Sequence, residues 1–364
     1  MSKINEKPID PNLYVPVTVE SDGARFFDVR RPPFDVYGLY NYKEEPEFKR
    51  MPDSIGTSVN DGVTRLYKQT AGGRVRFCTD SSYIIIRVKM PSITHYSHMP
   101  LTASSGFDLY IDDEETGKST YYRTFVPPYD MTDGYESKIE FKTSEKRYFT
   151  IHFPLYNAVT ELYIGLADGS AVGGGLRYRD IAPVVYYGSS ITQGACASRA
   201  GNAYANHLSR IFNVDHVNLG FAGNGKAEQN MCDYLATLEM SVFVMDYDHN
   251  APNPEYLRAT HYNLYETVRK VQPNVPIIMI SAPDIAFNYP RFLERREIVR
   301  ESYNRAVANG DENVYFIDGE SFFASDEAWD NCSVDGCHPN DLGFYRMTMG
   351  IAPMLEKALE KVEN

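Results

Sequence analysis

Five short apolar runs recur through the second half of the chain, and the segments between them carry a helical pattern. The runs are residues 184–187, 214–219, 242–245, 276–280 and 314–317. Short apolar runs bounded by turn residues indicate buried strands. Between two of them, Tyr204, Leu208, Ile211 and Phe212 are spaced as one apolar face of a helix. Alternation of this kind predicts an α/β fold, in which a parallel sheet is flanked by helices.

The first half of the chain follows a different pattern, with period-two alternation and many aromatic residues. We predict strands over residues 74–77, 83–88, 107–111, 138–141 and 148–153. Turn-forming residues separate them and no long helical repeat intervenes, which favours a β-sandwich of jelly-roll type. A chain of 364 residues is long for one core, so two domains are expected. The glycines at 173–175 place the boundary, giving domains 1–175 and 176–364.

Ser190 directly follows the first strand of the predicted parallel sheet. Loops at the carboxyl ends of parallel strands meet at one edge of the sheet, where a sharp turn can expose a serine hydroxyl. Such a hydroxyl is a weak nucleophile and needs a base that a third group orients. Asp335 and His338, which stand three residues apart, can supply that pair. The combination predicts a hydrolase; a one-residue shift of the turn would present Ser189 instead, and His249 is the rival base.

Four short blocks of this sequence resemble those of the SGNH hydrolases, also called GDSL esterases. Gly-Ser-Ser-Ile at 188–191 stands where the family has Gly-Asp-Ser-Leu, which implies that Ser190 is the nucleophile and that its backbone N–H is an oxyanion donor. The stretch 218–224 is similar to the second block, so a second backbone donor is carried to Gly223. Asp-x-x-His-Pro at 335–339 resembles the last block.

The third block departs from the family pattern of Gly-x-Asn-Asp, because here the strand runs into Asp-Tyr-Asp-His-Asn at 246–250. The resemblance implies that Asn250 is the side-chain oxyanion donor. Asp248 and His249 are then candidate substrate contacts, as is Ser189, where serine replaces the usual aspartate. That replacement indicates a subgroup of the family.

Two further strings point to a branch of bacterial SGNH hydrolases that carry an N-terminal β domain. They are Tyr-Gly-Ser-Ser-Ile-Thr-Gln-Gly-Ala at 187–195 and Gly-Phe-Asp-Leu-Tyr at 106–110. Related two-domain SGNH enzymes remove acetyl groups from plant polysaccharides, which implies a serine esterase acting on acetylated oligosaccharides from mannan or xylan. A general short-acyl esterase, thioesterase or lysophospholipase is the alternative, and a non-catalytic carbohydrate-binding protein is the third. The β domain is expected to be a carbohydrate-binding module, a lid or an oligomerisation surface. The last of these alternatives would make the protein a homo-oligomer.

Charge and motif spacing restrict the partners and cofactors. A formal net charge of −13 disfavours nucleic acid and anionic membranes, because phosphate-binding surfaces need clustered Lys and Arg. The glycines at 220–225 have the wrong spacing for a dinucleotide site. A zinc site of Cys332, Cys337 and His338 would lack a fourth ligand and occupy the candidate base. We therefore expect no metal and no organic cofactor, and a small-molecule or oligosaccharide ester as substrate.

The cysteines and the N-terminus bear on location. Five cysteines are an odd and scattered set, unlike a disulfide framework. Residues 1–8 lack the apolar core of a signal peptide, and no apolar run reaches a transmembrane length. The expectation is a cytoplasmic protein with reduced thiols.

Overall fold

The computed structural model describes residues 14–283, 289–323 and 329–363. The first residues, on which the argument against a signal peptide rests, lie outside the described residues. We call residues 14–175 the sandwich half and residues 176–363 the α/β half. Within the described residues, none of the helices combines the length and apolar character that crossing a membrane requires.

Two antiparallel sheets make up most of the sandwich half. The first has the order β1-β9-β4-β7, and the second has the order β10-β3-β8-β5-β6 with β2 paired to β3. Their strands are β1 (Ala24–Asp28), β2 (Asp35–Tyr37), β3 (Arg74–Thr79), β4 (Tyr83–Lys89), β5 (Phe107–Asp112), β6 (Ser119–Phe125), β7 (Gly134–Glu140), β8 (Arg147–His152), β9 (Glu161–Ala167) and β10 (Val172–Gly174). Phe77 and Phe149 of one sheet share a core with Ile86 and Ile164 of the other, so the predicted sandwich is confirmed.

The α/β half is built on a five-stranded parallel sheet of order β12-β11-β13-β14-β15. Its strands are β11 (Val184–Gly188), β12 (His216–Gly220), β13 (Val242–Asp246), β14 (Ile277–Ile280) and β15 (Val314–Ile317). The longer helices of this half are α5 (Tyr204–Phe212), α6 (Gln229–Thr237), α7 (Pro254–Val271), α8 (Tyr289–Ala308) and α10 (Asp341–Glu363). All five strands lie where the apolar runs predict them.

Alternation within β11 feeds a separate core on each face of the sheet, because successive side chains of a strand point to opposite faces. Val184 and Tyr186 pack with residues of α5 and α10. Val185 and Tyr187 pack with residues of α6, α7 and α8. The predicted arrangement of helices on both faces is therefore confirmed. One predicted core residue is wrong: Ile211, in the last turn of α5, is 53% exposed.

The remaining elements are short helices. Two of them belong to the sandwich half by sequence but pack in the core of the α/β half. The short helices are α1 (Asp53–Gly56), α2 (Asp61–Leu66), α3 (Leu101–Ser104), α4 (Ser190–Gln193) and α9 (Glu320–Phe323), with 3-10 turns at Ala200–Asn202, Asp248–Asn250 and Trp329–Asn331. Met51, Val63 and Tyr67, in and around α1 and α2, are buried in the core that α6, α7 and α8 cover. Leu155 and Tyr156 enter the opposite core. The sandwich half therefore completes the interior of the α/β half.

The Gly-Phe-Asp-Leu-Tyr string forms a polar joint between the halves. The Asp108 carboxylate accepts from the backbone N–H of Gly201 at 2.6 Å and lies 3.5 Å from the Arg199 guanidinium. Arg199 also donates to the hydroxyl of Tyr110. Burial raises the pKa of Asp108 to about 6, although both partners of this joint favour its charged form. A Cβ at Gly201 would overlap the Tyr110 ring, so this close approach requires glycine.

Candidate active site

The turn from β11 into α4 fixes the position of Ser190. The Ser189 hydroxyl accepts from the Ile191 N–H at 3.1 Å, and the Ser189 N–H donates to the Thr192 hydroxyl at 3.2 Å, which forms a capping box. A Cβ at Gly188 would overlap Thr192, so the strand must end in glycine for this turn to close. The capping leaves Ser190 at the first helical position, half-buried at the sheet edge.

Ser190, His338 and Asp335 form one hydrogen-bonded chain. Ser190 Oγ lies 3.0 Å from His338 Nε2, and His338 Nδ1 lies 2.8 Å from Asp335 Oδ2. These distances are within reach for proton transfer from the hydroxyl to the imidazole. The carboxylate on Nδ1 fixes the tautomer that leaves Nε2 able to accept that proton.

Asp335 is held by donors from its own loop. Its Oδ1 accepts from the backbone N–H groups of Cys337 at 3.1 Å and His338 at 2.8 Å. Partial burial opposes ionisation of Asp335, yet the hydrogen bonds from the His338 backbone and ring outweigh it and hold its pKa below the ordinary value. The carboxylate is therefore ionised near neutral pH and oriented before substrate arrives.

Two backbone N–H groups at the same edge face no acceptor in the described part of the chain: those of Ser190 and Gly223. Gly223 sits in the loop after β12 with φ +69°, a backbone conformation that glycine adopts without strain. The loop is tied to β11 because Phe221 donates to the Gly188 carbonyl at 2.9 Å. Free N–H groups at this position can bind a developing oxyanion.

Asn250 reaches the same loop from the end of β13. Its Nδ2 donates to the Phe221 carbonyl at 2.9 Å, and a Cβ on Gly225 would lie 3.5 Å from that nitrogen. An amide nitrogen carries two hydrogens, so one remains for a ligand. Asn250, which the family resemblance implies as the side-chain oxyanion donor, therefore lies beside the Gly223 loop.

The structure gives two of the predicted substrate contacts other tasks. Ser189 is fully buried and its hydroxyl caps α4. Asp248 is 1% exposed, and its Oδ2 accepts from the Ala282 N–H at 3.0 Å. Neither side chain reaches the surface in this structure, and the substrate contacts predicted for them remain predictions. His249, which packs its ring 5.0 Å from that of Phe292, stays an untested prediction.

Asp246, the last residue of β13, binds side chains beneath the Ser190 turn. It was not identified as a site residue from the sequence. Its Oδ2 accepts from the hydroxyls of Thr192 at 2.9 Å and Tyr204 at 2.8 Å. Complete burial raises the pKa of Asp246 to about 7, and neighbouring Asp248 adds to the shift. The carboxyl group therefore joins the end of β13 to α4 from inside the fold.

Arg50 secures the approach to the Gly223 loop from the sandwich half. Its guanidinium donates to the carbonyls of Gly220 at 2.6 Å, Asn218 at 3.1 Å and Leu66 at 2.8 Å. It also lies 4.5 Å from the centre of the Phe221 ring. Burial lowers the pKa of Arg50 to about 9. The end of β12 is thus held by a residue about 170 positions earlier in the chain, a contact without any local sequence signal.

Other side chains of the sandwich half lie directly at the site. The Tyr156 hydroxyl donates to the Ser190 carbonyl at 3.2 Å. The exposed ring of His98 lies 5.5 Å from the ring of His338. Cys196, in the turn after α4, joins these two histidines in the one group of potential metal ligands found among the described residues. Of the zinc set weighed from the sequence, Cys332 is instead buried in the apolar core.

Three cavities of about 520, 450 and 260 Å³ lie elsewhere on the described surface. The first lies between α7 and the end of α8, the second beside β6, and the third between the halves near Arg50. None of these three is lined by Ser190 or His338.

Comparison with known families agrees with this geometry. Residues 182–356 match the GDSL-like lipase/acylhydrolase family, and residues 24–172 match the N-terminus of SGNH-hydrolase-type esterases. The chain belongs to the SGNH/GDSL hydrolase family. This SGNH hydrolase is therefore a carboxylic ester hydrolase, as its sequence blocks predict.

Solved structures share the fold of this SGNH hydrolase over nearly its whole length. A protein from Bacteroides ovatus ATCC 8483 assigned as a GDSL-like lipase is 27% identical, with a TM-score of 0.82 over 93% of this chain and 98% of that chain. Salicylyl-acyltransferase SsfX3 from a tetracycline biosynthetic pathway is 17% identical, with a TM-score of 0.75 over 94% and 100%. A family two carbohydrate esterase from Cellvibrio japonicus is 12% identical, with a TM-score of 0.57 over 93% and 99%. No curated protein matches the chain.

Proposed function

We propose that this SGNH hydrolase is a serine esterase that removes acetyl groups from acetylated oligosaccharides by two-step acyl transfer. The observation that carries the proposal is the hydrogen-bonded chain from Ser190 through His338 to Asp335, with separations of 3.0 and 2.8 Å. A nucleophile, a base and an orienting carboxylate are the minimum set for this chemistry at neutral pH.

In the first step Ser190 Oγ attacks the ester carbonyl carbon while His338 Nε2 takes the hydroxyl proton. The negative charge that develops on the carbonyl oxygen is stabilised by the N–H groups of Ser190 and Gly223 and by the Asn250 amide. The sugar hydroxyl leaves with the proton from Nε2, and the acyl group stays on Ser190. In the second step His338 deprotonates water, which attacks the acyl-enzyme carbonyl; the imidazolium then returns the proton to Ser190 Oγ as the C–Oγ bond breaks, and the acetyl group leaves as acetic acid, which ionises to acetate. Asp335 stabilises the imidazolium in both steps.

The shared fold supports a carbohydrate ester as the substrate. The two-part fold is shared with family two carbohydrate esterases, one of which, from Clostridium thermocellum, is solved in complex with cellohexaose at 13% identity and a TM-score of 0.57. Ser190 is half-buried at the edge of the sheet, where an acetyl group can reach it while the sugar that carries the ester stays outside.

Mass spectrometry of acetylated manno- and xylo-oligosaccharides before and after incubation tests the proposal. Loss of acetyl units with wild-type protein, and none with Ser190→Ala, is the expected result. A parallel series of nitrophenyl esters of increasing chain length measures the acyl preference. Faster hydrolysis of long chains with untouched oligosaccharides would identify a general or lipid-active esterase instead. Oligosaccharide binding without any ester cleavage would identify the non-catalytic alternative.

A further inference from the structure

Three potential metal ligands from distant parts of the chain converge at the candidate base. His98 comes from the loop before α3, Cys196 from the turn after α4, and His338 from the Asp-x-x-His loop. Their ligand atoms all lie within 4.8 Å of one another. Three atoms at that limit lie no more than about 2.8 Å from a common centre, against zinc–ligand bonds of about 2.0–2.3 Å. The set takes one ring nitrogen from each histidine, and shifts of less than about 1 Å bring three atoms so placed to bonding distance.

We propose that His98, Cys196 and His338 bind a single Zn²⁺ ion that inhibits the esterase by occupying the Nε2 atom of the base. The inhibition rests on the proposed function, whereas the metal site does not. Two imidazoles and a thiolate are ligands that zinc selects, and the remaining position of a tetrahedral ion is left for water.

The hydrogen bonds of His338 determine which of its ring atoms can bind the ion. Nδ1 faces the Asp335 carboxylate at 2.8 Å, so the metal must use Nε2. A carboxylate that accepts from the far nitrogen of a zinc-bound histidine orients the ring and strengthens it as a ligand. Nε2 also faces Ser190 Oγ at 3.0 Å, so zinc and the serine proton compete for one lone pair. The zinc-bound form therefore has no base available for the nucleophile.

The other two ligands differ in mobility: Cys196 is fixed, whereas the His98 side chain can rotate to complete the coordination of an ion. Cys196 is 4% exposed, and its turn is fixed by the bonds of Ala195 N–H to the Ser190 carbonyl and of Ala197 N–H to the Gly194 carbonyl. His98 is exposed, so its ring can rotate about two bonds toward the thiol. When the Zn–S bond forms, the thiol proton leaves to solvent, and no oxidant or reductant takes part.

The loop that carries His98 is anchored so that the histidine stays near the site. The Asn157 amide accepts from the Thr94 N–H at 2.9 Å and donates to the Thr94 carbonyl at 3.2 Å. The Tyr96 ring packs edge-on against the Tyr156 ring at 5.4 Å. The metal site is thus formed only when the sandwich half is seated on the α/β half.

Cobalt binding tests the site without reference to activity. Full-length protein stripped of metal is titrated with Co²⁺, and a cobalt–thiolate charge-transfer band is followed by absorbance. We expect one ion per chain, displaced by one equivalent of Zn²⁺. Cys196→Ala should abolish the band, and His98→Asn should weaken binding by about 100-fold or more, since even outer-shell changes cost 10–100-fold. Cys232→Ala, another buried cysteine, and His95→Asn, on the same loop as His98, are the matched controls.

Hydrolysis of nitrophenyl acetate then measures inhibition in the same proteins. Zinc should inhibit wild type and both controls alike, whereas His98→Asn and Cys196→Ala should need about 100-fold more zinc for the same fractional inhibition of their own metal-free rates. If Cys196→Ala fails to fold, His98→Asn carries the test, because its side chain is exposed.

Two results would overturn the site while leaving the esterase intact. One is equal zinc inhibition of wild type, His98→Asn and Cys196→Ala. The other is a cobalt band that survives Cys196→Ala and is lost in Cys337→Ser. A cobalt–thiolate band through Cys196 in a protein that cleaves no ester would have the opposite meaning: the metal site would stand and the proposed function would fail.

Discussion

Replacing Gly62 with alanine is expected to lower kcat although Gly62 belongs to the sandwich half. Gly62 lies in α2, and a Cβ there would overlap the side chain of Asn224. Asn224 directly follows Gly223 and is held by three hydrogen bonds. Its backbone N–H donates to the Phe221 carbonyl at 2.8 Å, its Nδ2 donates to the Ala222 carbonyl at 2.7 Å, and its own carbonyl accepts from Asn60 Nδ2 at 3.3 Å. The added methyl group must therefore displace either the Asn224 side chain or the loop that presents the Gly223 N–H.

The size of the effect lies between two limits. Complete loss of an oxyanion donor costs about 2.7–4 kcal/mol of barrier. Rotation of the Asn224 side chain would relieve the overlap and leave the barrier unchanged, at the cost of one hydrogen bond, about 1 kcal/mol of stability. We expect partial displacement and a fall in kcat of about tenfold, equivalent to about 1.4 kcal/mol, with little change in KM. Overpacking costs about 1–3 kcal/mol of stability, and the better helix propensity of alanine offsets about 1 kcal/mol of it.

Steady-state hydrolysis of nitrophenyl acetate, with a thermal melt of each protein, is the assay. Arg65→Ala, at an exposed position of α2, is the matched control and should behave as wild type. Asn224→Ala makes room for the methyl group, so the double variant should be no slower than Asn224→Ala alone. The reasoning is refuted by a folded Gly62→Ala protein with wild-type kcat, or by strictly additive losses in the double variant.

Four shorter predictions follow from the same geometry. Ser190→Ala should abolish ester hydrolysis with an unchanged melt, and a fluorophosphonate should label wild type at that residue alone; a label on any other serine would contradict the mechanism. His338→Ala should lose nearly as much rate as Ser190→Ala, and Asp335→Ala less, because the orienting group of such a unit is the least indispensable. Asn250→Ala should lower kcat by about 100-fold with KM little changed; an unchanged kcat would remove this side chain from the oxyanion site. A chain starting at residue 176 should show no cooperative melt, because it lacks the side chains that complete both cores; a cooperative melt would show that the α/β half folds alone.

Strands were predictable where burial on both faces leaves an uninterrupted apolar run. This holds for all five parallel strands, whose residues are buried with few exceptions. It fails for β6, an edge strand with a single buried residue, which therefore carries no clean alternation. It also fails for β9, where Gly165 interrupts the pattern because the Phe26 ring leaves no room for a Cβ.

Some residues of the site were predictable from short local motifs, whereas others reach the site only through contacts between distant parts of the chain. Ser190, Asp335 and His338 stand in short motifs with a fixed chemical logic, so the sequence brings them to attention. Arg50 and His98 carry no such signal, because each reaches the site only after the sandwich half docks. A lone histidine or arginine is ordinary in any sequence, and only the fold shows what lies opposite it.

The shared core has a consequence for the order in which the molecule is made. Met51, Val63 and Tyr67 pack in a core whose members extend to Val314, about 250 residues later. A ribosome adds roughly 5–20 residues per second, so the last side chains of this core are added roughly 12–50 s after the first. The two sheets of the sandwich half can pack together during that interval. The apolar side chains of α1 and α2 cannot be buried yet, because the core of the α/β half has not formed. On the nascent chain, this segment therefore exposes apolar side chains that a chaperone can bind until the α/β half is complete.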